Sequence, residues 1–169
     1  MNILEAINEQ VNFELESAYI YKSMEAWMNG HDMPGFEHFM NMQVQEEVFH
    51  AEKMKSFLQE VDFQVKYRPL DPGTGEYESI LDVFEKALDH EKLVSSKINA
   101  LYDQAVAENE RRALNMLQWF IDEQVEEEAT FSTLVRQLER AGDNWGALLM
   151  LDNQMGQRVA PQPPVEEQN

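Results

Sequence analysis

A chain of 169 residues is long enough for one domain with a sizeable core, and its 32 acidic residues against 13 basic ones give a formal charge of −19. That balance argues against nucleic acid or an anionic membrane surface as partner and favours small cations. The absence of cysteine excludes disulfides, thiolate metal sites and thiol nucleophiles. The acidic opening MNILEAINEQVNFELE has no signal-peptide pattern and no run approaches the ~18 apolar residues of a membrane span, so a soluble cytoplasmic protein is the expectation.

Glycine and proline fall in a few places, and the intervals between them carry helical periodicity. A first helix is predicted over 3–29, closed by Gly30, and a second over 34–61, with Asp32 placed to cap it. The segment 62–78, DFQVKYRPLDPGTGEYE, has no periodicity and reads as a long connection. A third helix is predicted over 79–107, where Ser79 and Asp82 suit a capping box, and a fourth over 110–141 after a turn at Asn109. A short fifth, 144–155, ends at Gly156. Residues 1–156 form the expected domain, and 157–169 read as a flexible tail. Two tightly turned helix pairs joined by one long connection predict an all-α four-helix bundle in which the crossover runs the length of the bundle.

The chemistry lies in the core-facing seams, written at alternating steps of four and three. The first helix presents Leu4, Ile7, Val11, Glu14, Ala18 and Tyr21, and the second Phe36, Met40, Gln43, Glu47, His50, Met54, Phe57 and Val61. The third presents Ile80, Phe84, Ala87, Glu91, Val94, Ile98, Leu101 and Ala105. The fourth presents Ala113, Leu117, Phe120, Gln124, Glu127, Phe131, Leu134 and Leu138. Every seam is apolar at both ends and acidic in the middle. Glu14 and Glu47 lie 17 and 16 residues either side of His31, and Glu91 and Glu127 18 residues either side of Asn109, so the turns bring the acids to one level.

An isolated buried charge costs several kcal/mol, so such a cluster must pair, keep protons or bind metal. No lysine or arginine occupies a seam position. A lone Glu-x-x-His is more often a surface hydrogen bond. With three further core glutamates at its level, Glu47-x-x-His50 reads as part of a metal site. Oxygen-rich donors with one imidazole suit iron or manganese better than copper or structural zinc, and four carboxylates balance two divalent cations. Empty, the four should titrate as a coupled set and retain protons near neutrality.

The stretches INEQVNFELESAYIY, QEEVFHAEKM, DHEKLVSSKINAL and LQWFIDEQVEEEATF resemble the four helix motifs of prokaryotic non-haem ferritins, over nearly the whole chain to Met155. The resemblance implies that Glu14, Glu47 and His50 hold one iron, with Glu47 bridging. Glu91 and Glu127 would hold the second, with Gln124 beside it and Tyr21 next to the site. It further implies a third, weaker iron site at Glu46, Glu123 and Glu126, and a shell of 24 subunits. That shell would oxidise ferrous iron with dioxygen or hydrogen peroxide and store it as a ferric mineral. The fourth helix lacks a second Glu-x-x-His, unlike bacterioferritin and oxygenase-like di-iron enzymes, and Val48 stands where bacterioferritins use a haem-binding methionine, so no haem is expected. Tyr21 is equally readable as a core tyrosine with a satisfied hydroxyl. Trp119 reads as a packed aromatic, with electron transfer the alternative. Arg111 and Arg112, at a helix start, suggest contact with acids of a neighbouring subunit. His31, His38 and His90 carry no spacing that separates them from surface or turn residues. Two other function classes stay open: a di-iron redox enzyme, peroxidase- or oxygenase-like, that keeps its metal in a small oligomer, and a helical interaction module whose buried acids are structural.

Overall fold

The computed structural model describes residues 1–159, and the rest of the expected tail, 160–169, lies outside them. The described residues form five helices and no strand: α1 Ile3–Asn29, α2 Pro34–Glu60, α3 Ile80–Ala107, α4 Arg111–Ala141 and α5 Trp145–Met155. Each end differs from its sequence-predicted position by at most one residue. The starts are written in local chemistry. Asn2 caps α1 in a reciprocal capping box with Glu5, Ser79 accepts from the Asp82 amide at the start of α3, and Pro34 occupies the first turn of α2.

The cap of α2 departs from the sequence reading. Asp32 sits in the turn at φ 56°, and Met33 is the cap residue without a capping side chain. The amide of Phe36 instead donates to Asp152 Oδ1 at 2.9 Å, a buried carboxylate that α5 brings back from 116 residues away. Gly35 makes that approach possible: a Cβ on it would lie 1.6 Å from the Asp152 carbonyl oxygen. α5 is therefore held by a cap that works across the chain.

α1 packs antiparallel along α2, and α3 along α4. The crossover 61–79 climbs the outside of α1. Two buried asparagines hold its lower part: Lys66 and Arg68 amides donate to Asn8 Oδ1 (2.7 Å) and Asn12 Oδ1 (2.9 Å), and both asparagine amides donate back to the Lys66 carbonyl. Higher up, Gly73 passes Ile20, the Tyr77 hydroxyl meets the Ser23 hydroxyl at 3.2 Å, and Tyr77 packs edge-on against Trp27. The order Asn8, Asn12, Ile20, Ser23, Trp27 shows that the connection travels the length of α1, which sets α3 parallel to α2.

Two apolar clusters fill the bundle. One, around Tyr21, Met28, Phe36, Phe84 and Phe131, occupies the end where α3 begins. The other, around Ile7, Val11, Met54, Ile98 and Phe120, occupies the opposite end. Burying each such side chain contributes about 1.5–3 kcal/mol. These clusters offset the cost of the polar layer between them. Along α2 the buried row passes through Met54 to Leu58, not to Phe57 and Val61, which are half-buried.

Candidate metal centre

Between the two apolar clusters, α1 contributes Glu14, α2 Glu47 and His50, α3 Glu91, and α4 Gln124 and Glu127; all six side chains are buried. One donor atom from each of Glu14, Glu47 and His50 comes within 4.8 Å of the other two. His50 Nδ1 stands 3.6 Å from Glu47 Oε2, beyond good hydrogen-bond reach and suited to sharing an ion. Glu91 and Glu127 stand outside this tight group; each of them, like Glu14, has a hydrogen-bond donor of its own.

Those donors are all neutral. Gln10 Nε2 donates to Glu14 Oε1 at 2.9 Å, and Gln43 Nε2 to Glu127 Oε2 at 3.0 Å. Gln124 Nε2 reaches Glu91 Oε2 at 3.1 Å, and the Tyr21 hydroxyl donates to Glu91 Oε1. Three buried acceptors are left without a partner: Glu14 Oε2, Glu47 Oε2 and Gln43 Oε1. Orphaned buried oxygens are costly, and carboxylate oxygens beside an imidazole are the donor set of a hard divalent cation. The residues therefore fit iron.

The layer is charge-frustrated. Burial, then the Glu47 carboxylate, raises the Glu14 pKa well above the ordinary range, against the opposing pull of His50. Burial and the Glu91 charge raise Glu47 likewise. Glu91 is pushed up to about 7 by burial and then by Glu127, with the Tyr21 and Gln124 hydrogen bonds acting the other way. Burial and the Glu91 charge also drive the Tyr21 hydroxyl well above its usual value, so it stays a donor. Desolvation and mutual repulsion both favour retained protons, which an arriving cation displaces.

Beside this layer, Glu46 is half-buried and pushed up to about 7 by burial and then by Glu127, with Arg158 opposing and Glu123 adding repulsion. Glu123 is raised by burial, and Glu126 repels it. Glu123 thus adds to the repulsion on Glu46, and Glu126 to that on Glu123, but among the described residues the three acids of the expected third site do not gather into a tight ligand group as Glu14, Glu47 and His50 do. Glu126 is exposed, and Glu46 is engaged by Arg158.

The ferritin-like domain model matches residues 4–141. The chain belongs to the ferritin family. A probable bacterial non-haem ferritin-like protein of Haemophilus influenzae is 32% identical over 155 residues, covering 92% of this chain and 94% of that one. A bacterial non-haem ferritin of Staphylococcus aureus is 33% identical over 158 residues, covering 94% and 95%. Among solved structures, an open-pore ferritin of the archaeon Archaeoglobus fulgidus superposes with a TM-score of 0.92 at 38% identity, covering 93% of this chain and 97% of that one. A form of the same ferritin engineered to be closed gives 0.92 at 37%, covering 94% and 97%.

On this ferritin bundle the roles of several residues near the site are not legible in the sequence. Gln10 lies on the same face as Glu14 four residues on, and Gln43 precedes Glu47 by the same step, but a seam amide carries no signature of its own. His90 is not an ordinary surface residue. Its Nε2 meets the Ser17 hydroxyl at 2.8 Å, its ring stacks on Phe13 and meets Tyr21 edge-on, and burial lowers its pKa to about 4. Trp119 packs edge-on to His50 with ring centroids 5.7 Å apart. Arg112 pairs with Glu110 of its own chain, Nη2 to Oε2 at 2.7 Å, so that acid at least is not a neighbour's. No helix among the described residues is long and apolar enough to cross a membrane.

Proposed function

We propose that the chain is an iron-storing ferroxidase whose substrate is ferrous iron. Glu14, Glu47 and His50 would hold one ion, and Glu47, Glu91 and Glu127 the other, with Glu47 bridging. The observation that carries this reading is the packing of Glu14, Glu47 and His50 donor atoms within 4.8 Å, with orphaned oxygens on both carboxylates. The raised Glu14, Glu47 and Glu91 supply the rest: protons kept in the empty site leave as ferrous ions enter. Each ferrous ion then loses one electron. Dioxygen takes four electrons and four protons to give two waters, and hydrogen peroxide takes two of each.

A single imidazole leaves the second position held by carboxylates alone, which favours exchange of the ferric product over its retention. Glu46, Glu123 and Glu126 would receive that ion on its way to a mineral inside a shell of 24 copies, and Tyr21, bonded to Glu91, is placed to steady that ligand or lend an electron. Aerobic ferrous loading followed by native mass and iron analysis tests the reading. The expected result is a species of about 470 kDa, from subunits of 19.7 kDa, that retains far more iron than its sites can hold. A small oligomer that keeps only two irons per chain would make it a di-iron redox enzyme instead. Absence of iron binding would make the buried acids structural.

A further inference from the structure

The chain returns to the acidic layer after α5. Beyond Gly156, where an added Cβ would lie 3.5 Å from the Gly35 Cα, the Arg158 carbonyl accepts from His38 Nε2 at 2.7 Å. The Arg158 guanidinium lies over the Phe39 ring, 4.4 Å from its centroid, and Nη2 donates to Glu46 Oε2. Its side chain is only 21% exposed, and Nη1 is buried without a partner. The described start of the segment that reads as a loose tail in the sequence, residues 157–159, is thus docked through a backbone acceptor, a stacked ring and an ion pair. Among the described residues Arg158 is also the only lysine or arginine paired with any of the glutamates assigned above to iron.

We propose that Arg158 is the resident counter-cation of Glu46, and that it competes there with a metal ion bound by Glu46 together with Glu123 and Glu126, so that filling this site releases residues 157–159. This rests on the reading of those three acids as the receiving site for iron. The physical ground is exclusion. A guanidinium and a multivalent cation on one carboxylate repel strongly at contact distances in a half-buried setting. Glu46 can serve one of them at a time. Linkage makes the effect reciprocal: whatever the metal does to segment docking, docking does to metal affinity. A trivalent ion displaces the arginine more readily than a divalent one, which favours the oxidised product over the ferrous substrate at this position.

The test uses lutetium(III), which is redox-inert, diamagnetic and oxygen-seeking, on the full assembled protein. The chain has no cysteine, so Val159→Cys, at a residue 78% exposed, takes a nitroxide label uniquely. In the parent the label should be immobile without metal and become mobile as the weakest class of lutetium sites fills. Arg158→Gln should make the label mobile from the outset and raise the affinity of that weak class about ten-fold, inside the usual 5–150-fold range of coupling. Glu46→Gln should also free the label while abolishing the weak class. A label that stays immobile while the weak class fills, or equal affinities in parent and Arg158→Gln, overturns the proposal and leaves the receiving site standing. If calorimetry finds no ions beyond those of the central layer in the parent, the receiving-site reading fails and takes this inference with it.

Discussion

Glu91 offers the sharpest test of the charge-frustrated layer, because its cost can be placed on a pH axis. Burial and Glu127 raise it from the ordinary 4.5 to about 7 in the folded chain. The folded state therefore holds the proton longer than the unfolded state does. Stability from this group is intact below pH 4.5 and is lost as pH rises from 4.5 to 7. A rise of that size amounts to about 3 kcal/mol, of which roughly 1 is already lost at pH 5.5. Glu91→Gln keeps the shape and removes the charge, and its side-chain carbonyl can still accept from Tyr21. The metal-free variant should exceed its parent by about 2 kcal/mol more at pH 8 than at pH 5.5, or about 4–8 °C in Tm. Scanning calorimetry at the two pH values reads this, with pH 5.5 chosen to stay clear of the sequence pI near 4.4. An equal gain at both pH values, or none at pH 8, would refute the view that Glu91 stores repulsion.

Three further outcomes follow from the same geometry. His50→Ala should weaken the tighter ferrous site at least ten-fold; an unchanged ferrous titration would remove His50 from the ligands. Gly35→Ala should drive α5 from its seat and strip the Phe36 amide of its Asp152 cap, lowering Tm by at least about 4 °C; an unchanged Tm would contradict the contact. Gln10→Lys should place an ammonium on Glu14, stabilising the metal-free protein while lowering ferrous affinity by an order of magnitude or more. Calorimetry that finds iron binding intact would show that Glu14 is not needed for it.

What could be read from the sequence was what repeats along one chain segment. Helix limits, the long crossover and the shared level of Glu14, Glu47, Glu91 and Glu127 follow from periodicity and from counting residues to the turns. The error at Phe57 and Val61 shows where counting fails. An ideal helix drifts about 20° per heptad against a strict 3.5 repeat, so by the end of α2 the buried row has moved to Leu58. Asp152 could not be recognised as the cap of α2, since the amide it serves belongs to a residue 116 positions earlier. Asn8 and Asn12 look like ordinary polar helix residues until the crossover is laid across them. Their partners are backbone groups, which no side-chain pattern announces. Arg158 sits in a run that reads as a loose tail, and only the turn after α5 brings it to Glu46.

The kind of partner given to each acid separates the central layer from the receiving site proposed at Glu46. Glu14, Glu91 and Glu127 are held by Gln10, by Tyr21 with Gln124, and by Gln43, all neutral donors. A neutral donor fixes a carboxylate's orientation without cancelling its charge, so the attraction for a cation survives the positioning. A lysine or arginine in the same place would stabilise the empty bundle and cost much of its affinity for iron. Glu14, Glu47 and Glu91 thus stay raised in proton affinity in the metal-free chain, and the folded chain carries that cost through its two apolar clusters. Glu46 is treated in the opposite way, with a full guanidinium. A site that must take ions from a neighbour only after oxidation gains from a resident cation that sets a threshold. A site that must gather dilute ferrous ions gains from having none. On the proposed reading, the difference between the amide partners of the central acids and the guanidinium partner of Glu46 would give the path of the ion its direction.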